Sequence, residues 1–241
     1  MGTNNKIKGF VFDLDNTLFD RYATLEKILK ENRERVEPFI NPGYRFETAI
    51  THLCHTEPLF NYDKWETVYS HLIEECFFDR DNTPSFERSK NFILDNFKKI
   101  AVPFDYTLPI LEKIRARGYK LGLITNGKGE LQRAKLALLG LENCFDRIVI
   151  SGEYSLLMCG EANRGEYSKP NPSIFLYTAE QLGCKPGELY YVGDNPKNDI
   201  SASAAAGYVP VWLRMRSPWI YGRDSLPEYV FDDLRGIETL I

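Results

Sequence analysis

Val11-Phe12-Asp13-Leu14-Asp15-Asn16-Thr17-Leu18-Phe19-Asp20 is the stretch from which the rest of the chain is read. Ahead of it, Ile7 to Phe12 is an apolar run broken only by Lys8 and Gly9, the pattern of a short buried strand. That run ends in two carboxylates separated by one residue. Acids so placed raise each other's pKa unless one keeps its proton or a cation sits between them. The stretch therefore asks for a divalent metal.

Working outward, the pattern after this motif turns helical for about 80 residues. Leu25, Ile28, Leu29 and Val36 keep a helical period until Pro38, and Asn41-Pro42-Gly43 reads as a turn. Tyr62, Trp65, Val68, Tyr69, Leu72, Ile73, Cys76 and Phe77 draw one apolar stripe on a second helix. Thr83-Pro84 has the form of an N-cap with proline at the first helical position, opening a third helix that buries Phe86, Phe92, Ile93 and Phe97. The block is expected to be a helical bundle whose aromatic residues are core.

From residue 105 helix and strand alternate. A helix with Ile110, Leu111 and Ile114 ends at Gly118 before a strand, Tyr119 to Ile124, that runs into Thr125-Asn126-Gly127. A helix with Leu131, Ala134 and Leu138 ends at Gly140, ahead of the strand Arg147 to Ile150. A helix from Ser173 to Leu182 precedes the strand Leu189 to Val192 and Gly193-Asp194. A short helix, Ile200 to Ala206, leads to the strand Val209 to Leu213. Five strands separated by helices predict an α/β fold with a doubly wound, Rossmann-like parallel sheet, interrupted by an inserted all-α cap. The expected division is residues 1–19 and 102–241 for the core and 20–101 for the cap. The polar run 155–168 reads as a surface loop.

Composition narrows the function. Thirty basic residues against 34 acidic ones leave a net charge of -4, without the basic footprint of a nucleic-acid or anionic-membrane binder. A small-molecule partner is expected instead. No apolar stretch approaches the roughly 20 residues of a membrane span, and Met1 to Lys6 carry no signal-peptide core, so a cytoplasmic protein is expected. The five cysteines have no CxxC spacing and indicate neither a disulfide framework nor a zinc site. His52 and His55, one helical turn apart, read as a solvated helix face.

In an open parallel sheet, ligands bind beyond the carboxyl ends of the strands. Asp13 and Asp15 follow the first strand, Thr125 the second, and Asp194 and Asp199 the fourth, while Lys169 precedes a helix. Singly, each has an ordinary reading: the aspartates and Thr125 as caps or turn residues, Lys169 as a surface lysine. Jointly they form a site for phosphoryl transfer. Asp13 is placed to act as nucleophile and Asp15 as general acid and base. Thr125 and the turn that follows it hold phosphate oxygens, and Lys169 offsets negative charge. Leu14, Asn126 and Gly127 are the expected substrate-binding neighbours, and Mg²⁺, a hard ion suited to carboxylates, the expected cofactor.

The set Asp13-Leu14-Asp15-Asn16-Thr17-Leu18, Thr125-Asn126-Gly127, Lys169-Pro170 and Gly193-Asp194 with Asp199 resembles the four motifs of the haloacid dehalogenase-like hydrolase superfamily. The resemblance covers the predicted sheet domain. For the helical block it extends only to the position of the insert. It implies Mg²⁺ held by Asp13, Asp194 and the main-chain carbonyl of Asp15, with Asp199 assisting, and an aspartyl-phosphate on Asp13. Similar proteins have a shorter segment ahead of the lysine than the 155–168 run here.

Within that superfamily, halide displacement needs no proton and dehalogenases lack an acid two residues after the nucleophile. Asp15 therefore favours phosphate-monoester hydrolysis. A phosphomutase would share the aspartyl-phosphate, a phospho-accepting receiver module would order its motifs differently and lack the helical insert, and a non-catalytic binding protein would lack a key aspartate. The expected function is a Mg²⁺-dependent phosphatase of a sugar phosphate or nucleoside monophosphate, with Phe19, Arg21, Tyr22 and Trp65 as candidates for selectivity.

Overall fold

A computed structural model of the protein describes residues 6–56, 65–162, 164–215 and 226–241. The chain folds as two compact units, one of Met1–Asp20 with Pro103–Ile241 and the other of Arg21–Val102.

The first unit is built on a six-stranded parallel sheet with β1 (Gly9–Phe12), β2 (Lys120–Thr125), β3 (Arg147–Ile150), β4 (Leu189–Gly193), β5 (Val209–Leu213) and β6 (Tyr229–Phe231) in the order β3-β2-β1-β4-β5-β6. β1 lies between β2 and β4 and is wholly buried, which is why its run is apolar throughout rather than alternating. Its side chains divide between the two faces. Val11 joins Ile124, Ile174, Phe175, Leu189 and Tyr191 on one face. Phe10 packs with Phe12, Tyr119 and Tyr190 away from that cluster. The doubly wound, Rossmann-like α/β architecture expected from the alternating pattern is the one found. The sixth strand adds to the five expected. It is three residues long and carries too short a pattern to be read without its partner β5.

The crossovers carry α6 (Thr107–Ala116), α7 (Gly129–Leu138), α8 (Ser151–Cys159), α9 (Pro172–Gln181) and α10 (Ala202–Ala205). Two expectations change here. The short helix after β4 opens as a π-helical turn, Pro196–Ser201, before α10, and Asn195 caps it by accepting from the amides of Lys197 and Asn198. The start of the 155–168 run is helical rather than loop, because α8 continues to Cys159 and stops at Gly160, whose φ of 74° favours glycine. Ser155 then ties the turn back by accepting from the amide of Arg164 at 3.0 Å.

The second unit is all-helical, with α1 (Arg21–Glu31), α2 (Arg33–Val36), α3 (Phe46–Thr56), α4 (Trp65–Glu74) and α5 (Phe86–Phe97). The expected stripe on α4 is shorter in the structure. Val68 and Leu72 are buried, Ile73 is exposed, and Cys76 takes a φ of 54°, which ends the helix before Phe77. Tyr62, the head of that stripe, lies outside the described residues. The N-cap of α5 is Ser85, whose hydroxyl accepts from the Arg88 amide at 3.3 Å, while Thr83 instead donates to the Asp79 carbonyl. On α5, Ile93 and Phe97 are buried, but Phe86 and Phe92 are only half-buried and lie under Lys90 and Arg35. His52 is not simply solvated: it bonds Glu75 at 2.7 Å, as does His71 at 2.9 Å, joining α3 to the end of α4. Those partners hold the Glu75 carboxyl below its ordinary range.

Candidate active site

β1 delivers Asp13 to the sheet edge, and the amide of Asp13 continues the ladder by donating to the Val192 carbonyl of β4. Strand order reverses between β1 and β4, so Asp13 and Asp194, each immediately following its strand, meet at the switch point. A glycine before Asp194 is required there: a Cβ on Gly193 would lie 2.5 Å from Cβ and Cγ of Asp199. Backbone and acid approach so closely that no side chain fits between them.

Lys169 binds the cluster together. Its Nζ is 2.6 Å from Asp13 Oδ1, 2.6 Å from Asp199 Oδ1 and 3.0 Å from the Tyr191 hydroxyl. Tyr191 donates in turn to Asp199 Oδ1, and the Asn195 amide donates to Asp199 Oδ2. Lys169 is 4% exposed and Asp199 1%, so neither is the surface residue that its type usually makes. The main chain of Lys169 is set by Asn126, whose side-chain amide both donates to the Lys169 carbonyl at 2.8 Å and accepts from its N–H at 2.9 Å. Thus the turn after β2 places the lysine that serves β1.

Oxygen atoms of Asp13, Asp194 and Asp199 converge to within 4.8 Å of one another. The three carboxylates are buried, and Lys169 pairs with two of them, Asp13 and Asp199, so acidic oxygens are concentrated in a desolvated place. An all-oxygen donor set of this kind fits a hard divalent cation. Nearby in sequence, Asn198 Oδ1 is buried without a hydrogen-bond partner. Electrostatics record the same tension. Burial, with Asp199 and Asp15 acting in the same direction, pushes the Asp13 carboxyl up to about 7 although Lys169 pulls it down. Burial alone would lower the Lys169 ammonium, but Asp13 and Asp199 outweigh it and hold the lysine well above its ordinary range. Burial likewise keeps the Tyr191 phenol protonated.

Asp15 has a different set of donors. Lys135 Nζ is 2.6 Å from its Oδ1, and Gln132 Nε2 is 3.1 Å from its Oδ2 and 2.5 Å from the Thr125 hydroxyl. Gln132 and Lys135 both come from α7, and neither was anticipated. The expected apolar face of that helix, with Leu131, Ala134 and Leu138, is not the buried one: Leu138 is 47% exposed, and Gln132, Lys135 and Leu136 are buried. A polar pair at i and i+3 after a strand-end threonine was the available signal. Tyr191 and Asn195 were also missed, each being ordinary for a strand or a turn.

The other expected neighbours make contacts within the protein. Leu14 is a fully buried core side chain whose carbonyl accepts from the amides of Thr17 and Leu18. The Gly127 amide, expected to face phosphate, donates instead to Ser151 Oγ at 3.0 Å, so this turn is braced against α8. Among the selectivity candidates, Phe19 is buried beneath Lys135, the Arg21 guanidinium lies over the Phe97 ring, and Tyr22 is buried. The side chain of Trp65 lies outside what the structure describes.

The family profile described as haloacid dehalogenase-like hydrolase matches residues 7–207. Phosphoserine phosphatase of Thermus thermophilus is 34% identical, with 96% of this chain and 98% of that protein covered. Glyceraldehyde 3-phosphate phosphatase of Methanocaldococcus jannaschii is 28% identical over 98% of this chain and 97% of the relative. A solved dehalogenase structure superposes with a TM-score of 0.68 at 16% identity, covering 98% of both chains, which speaks for the fold alone. With the profile spanning most of its length and the four motifs gathered at one sheet edge, the chain belongs to the haloacid dehalogenase-like hydrolases.

Proposed function

We propose that the protein is a Mg²⁺-dependent phosphatase that hydrolyses a small phosphorylated metabolite, of the sugar phosphate or nucleoside monophosphate class, through an aspartyl-phosphate on Asp13. The observation that carries this reading is that the two acids of the first motif have different partners. Asp13 lies with Lys169 and the metal-competent acids, while Asp15 is held by a different pair of donors. Neighbouring carboxylates in distinct environments suit distinct roles.

An Asp13 oxygen attacks phosphorus, and the P–O bond to the leaving group breaks as the leaving-group oxygen takes the proton of Asp15. Asp15 then removes a proton from water, which attacks the acyl phosphate, releases inorganic phosphate and restores Asp13. Lys169 and the Thr125 hydroxyl meet the charge on the phosphoryl oxygens. Asp13, Asp194 and Asp199, with the carbonyl of Asp15, would hold the cation, which favours the ionised nucleophile and neutralises phosphoryl charge. The phosphatase names of both relatives favour a phosphate monoester, and an acid at Asp15 serves an alkoxide better than a halide. In this reading Arg21–Val102 is the cap domain and the source of substrate selectivity.

Phosphate release from a panel of phosphorylated metabolites, with Mg²⁺ or EDTA and with wild type or Asp13→Asn, tests the proposal. Metal-dependent release that disappears in the variant is expected. Release that survives in Asp13→Asn, or in EDTA, would overturn it.

A further inference from the structure

Two buried side chains of α7 take no part in the steps above, yet both make hydrogen bonds to the group that moves the proton. Gln132 is 1% exposed, and its amide nitrogen has two hydrogens. One meets Asp15 Oδ2 and the other the Thr125 hydroxyl oxygen. Because that oxygen accepts from Gln132, the hydroxyl hydrogen is turned toward another acceptor. Lys135, on the same face of the helix, brings its ammonium to Asp15 Oδ1 and over the Phe19 ring at 5.5 Å. Both oxygens of Asp15 are then tied, which fixes the plane of the carboxyl group. A buried ammonium on this helix is unfavourable without such a partner, and an apolar residue of like size would fill the place more cheaply. Packing alone does not account for the pair.

We propose that Gln132 and Lys135 are positioning residues: together they hold the Asp15 carboxyl in line with the leaving-group oxygen, and Gln132 aims the Thr125 hydroxyl at the phosphoryl group. The inference rests on the roles given above to Asp15 and Thr125.

The test exploits leaving groups. An alkoxide needs the Asp15 proton as the P–O bond breaks, whereas p-nitrophenolate departs as the anion. Phosphorylation of Asp13 is contained in kcat/KM, and the second half-reaction is not. In Gln132→Leu and Lys135→Met, kcat/KM for the best alkyl phosphate of the panel should fall about 10- to 100-fold further than for p-nitrophenyl phosphate. The ratio of the two is independent of how much of the sample is folded, because both esters are read on one preparation. Lys135→Arg, which keeps the charge, should restore most of that ratio. An unchanged ratio in both variants would overturn the proposal, since a purely structural role lowers both esters alike. If wild type hydrolyses neither ester, the phosphatase reading fails, and crystal structures of the variants decide the positioning role. A carboxyl of Asp15 turned from its present rotamer supports it, and an unmoved one refutes it.

Discussion

At Asp13, desolvation and a neighbouring ammonium act in opposite directions, and desolvation prevails. The carboxyl rises from its ordinary 3.8 to about 7 in the metal-free protein. Between these values the folded chain keeps a proton that the unfolded chain has lost, so this residue adds stability at acid pH that is lost as pH rises from about 4 to about 7. Denaturant midpoints in EDTA should therefore decline across that window more steeply in wild type than in Asp13→Asn, and equal slopes would show that the burial argument fails. Asp15→Asn should lower turnover of alkyl phosphates by about 10² to 10⁴, the usual contribution of a general acid and base, with steady-state kinetics as the check. Read singly, Lys169 would be a solvated surface residue. Its ion pair with Asp13 spans 156 residues, a separation that no local pattern reveals.

Elements place these residues through their ends. The turn after β2 holds Lys169 through Asn126, so Asn126→Ala removes both bonds to the lysine main chain while leaving Lys169 itself intact. Its turnover should fall toward that of Lys169→Ala, and an unchanged kcat would remove the turn from the site. In the helical unit, Ser85→Ala deletes the N-cap of α5 and should cost about 1 kcal/mol in urea unfolding. Thr83→Val, at the position that the sequence pattern offers as the cap, deletes one exposed bond and should cost less. Most helices and strands were legible from periodicity because each is set by its own spacing. The cap of α5 was misplaced by two residues, since Thr83 and Ser85 are both good caps and only the course of the chain around Pro84 chooses between them.

For the molecule as a whole, three converging carboxylates at the sheet edge predict linkage between cation binding and stability. Mg²⁺ at a hundredfold excess over its dissociation constant should stabilise the folded state by about 2.7 kcal/mol, seen as a rise in Tm. Asp194→Asn, which removes one of the three converging acids, should reduce that rise. An equal rise in the variant would place the ion elsewhere. Among the described residues no helix is long and apolar enough to cross a membrane.

The amino-acid sequence alone determined the parallel α/β sheet, the helical insert and the placing of Asp13, Thr125 and Asp194 at strand ends, with Lys169 ahead of a helix. Alternation of apolar runs with turn residues is local information, and the carboxyl edge of a parallel sheet is a consequence of topology. Tertiary structure alone decided that Asp15 faces Gln132 and Lys135, that the Gly127 amide turns to Ser151, that α7 buries a polar face and that a sixth strand closes the sheet. The physical reason is common to all four. Each depends on a partner distant in the chain, 117 and 120 residues away for the two that hold Asp15, and burial in a site reverses the preference by which a helix face is read.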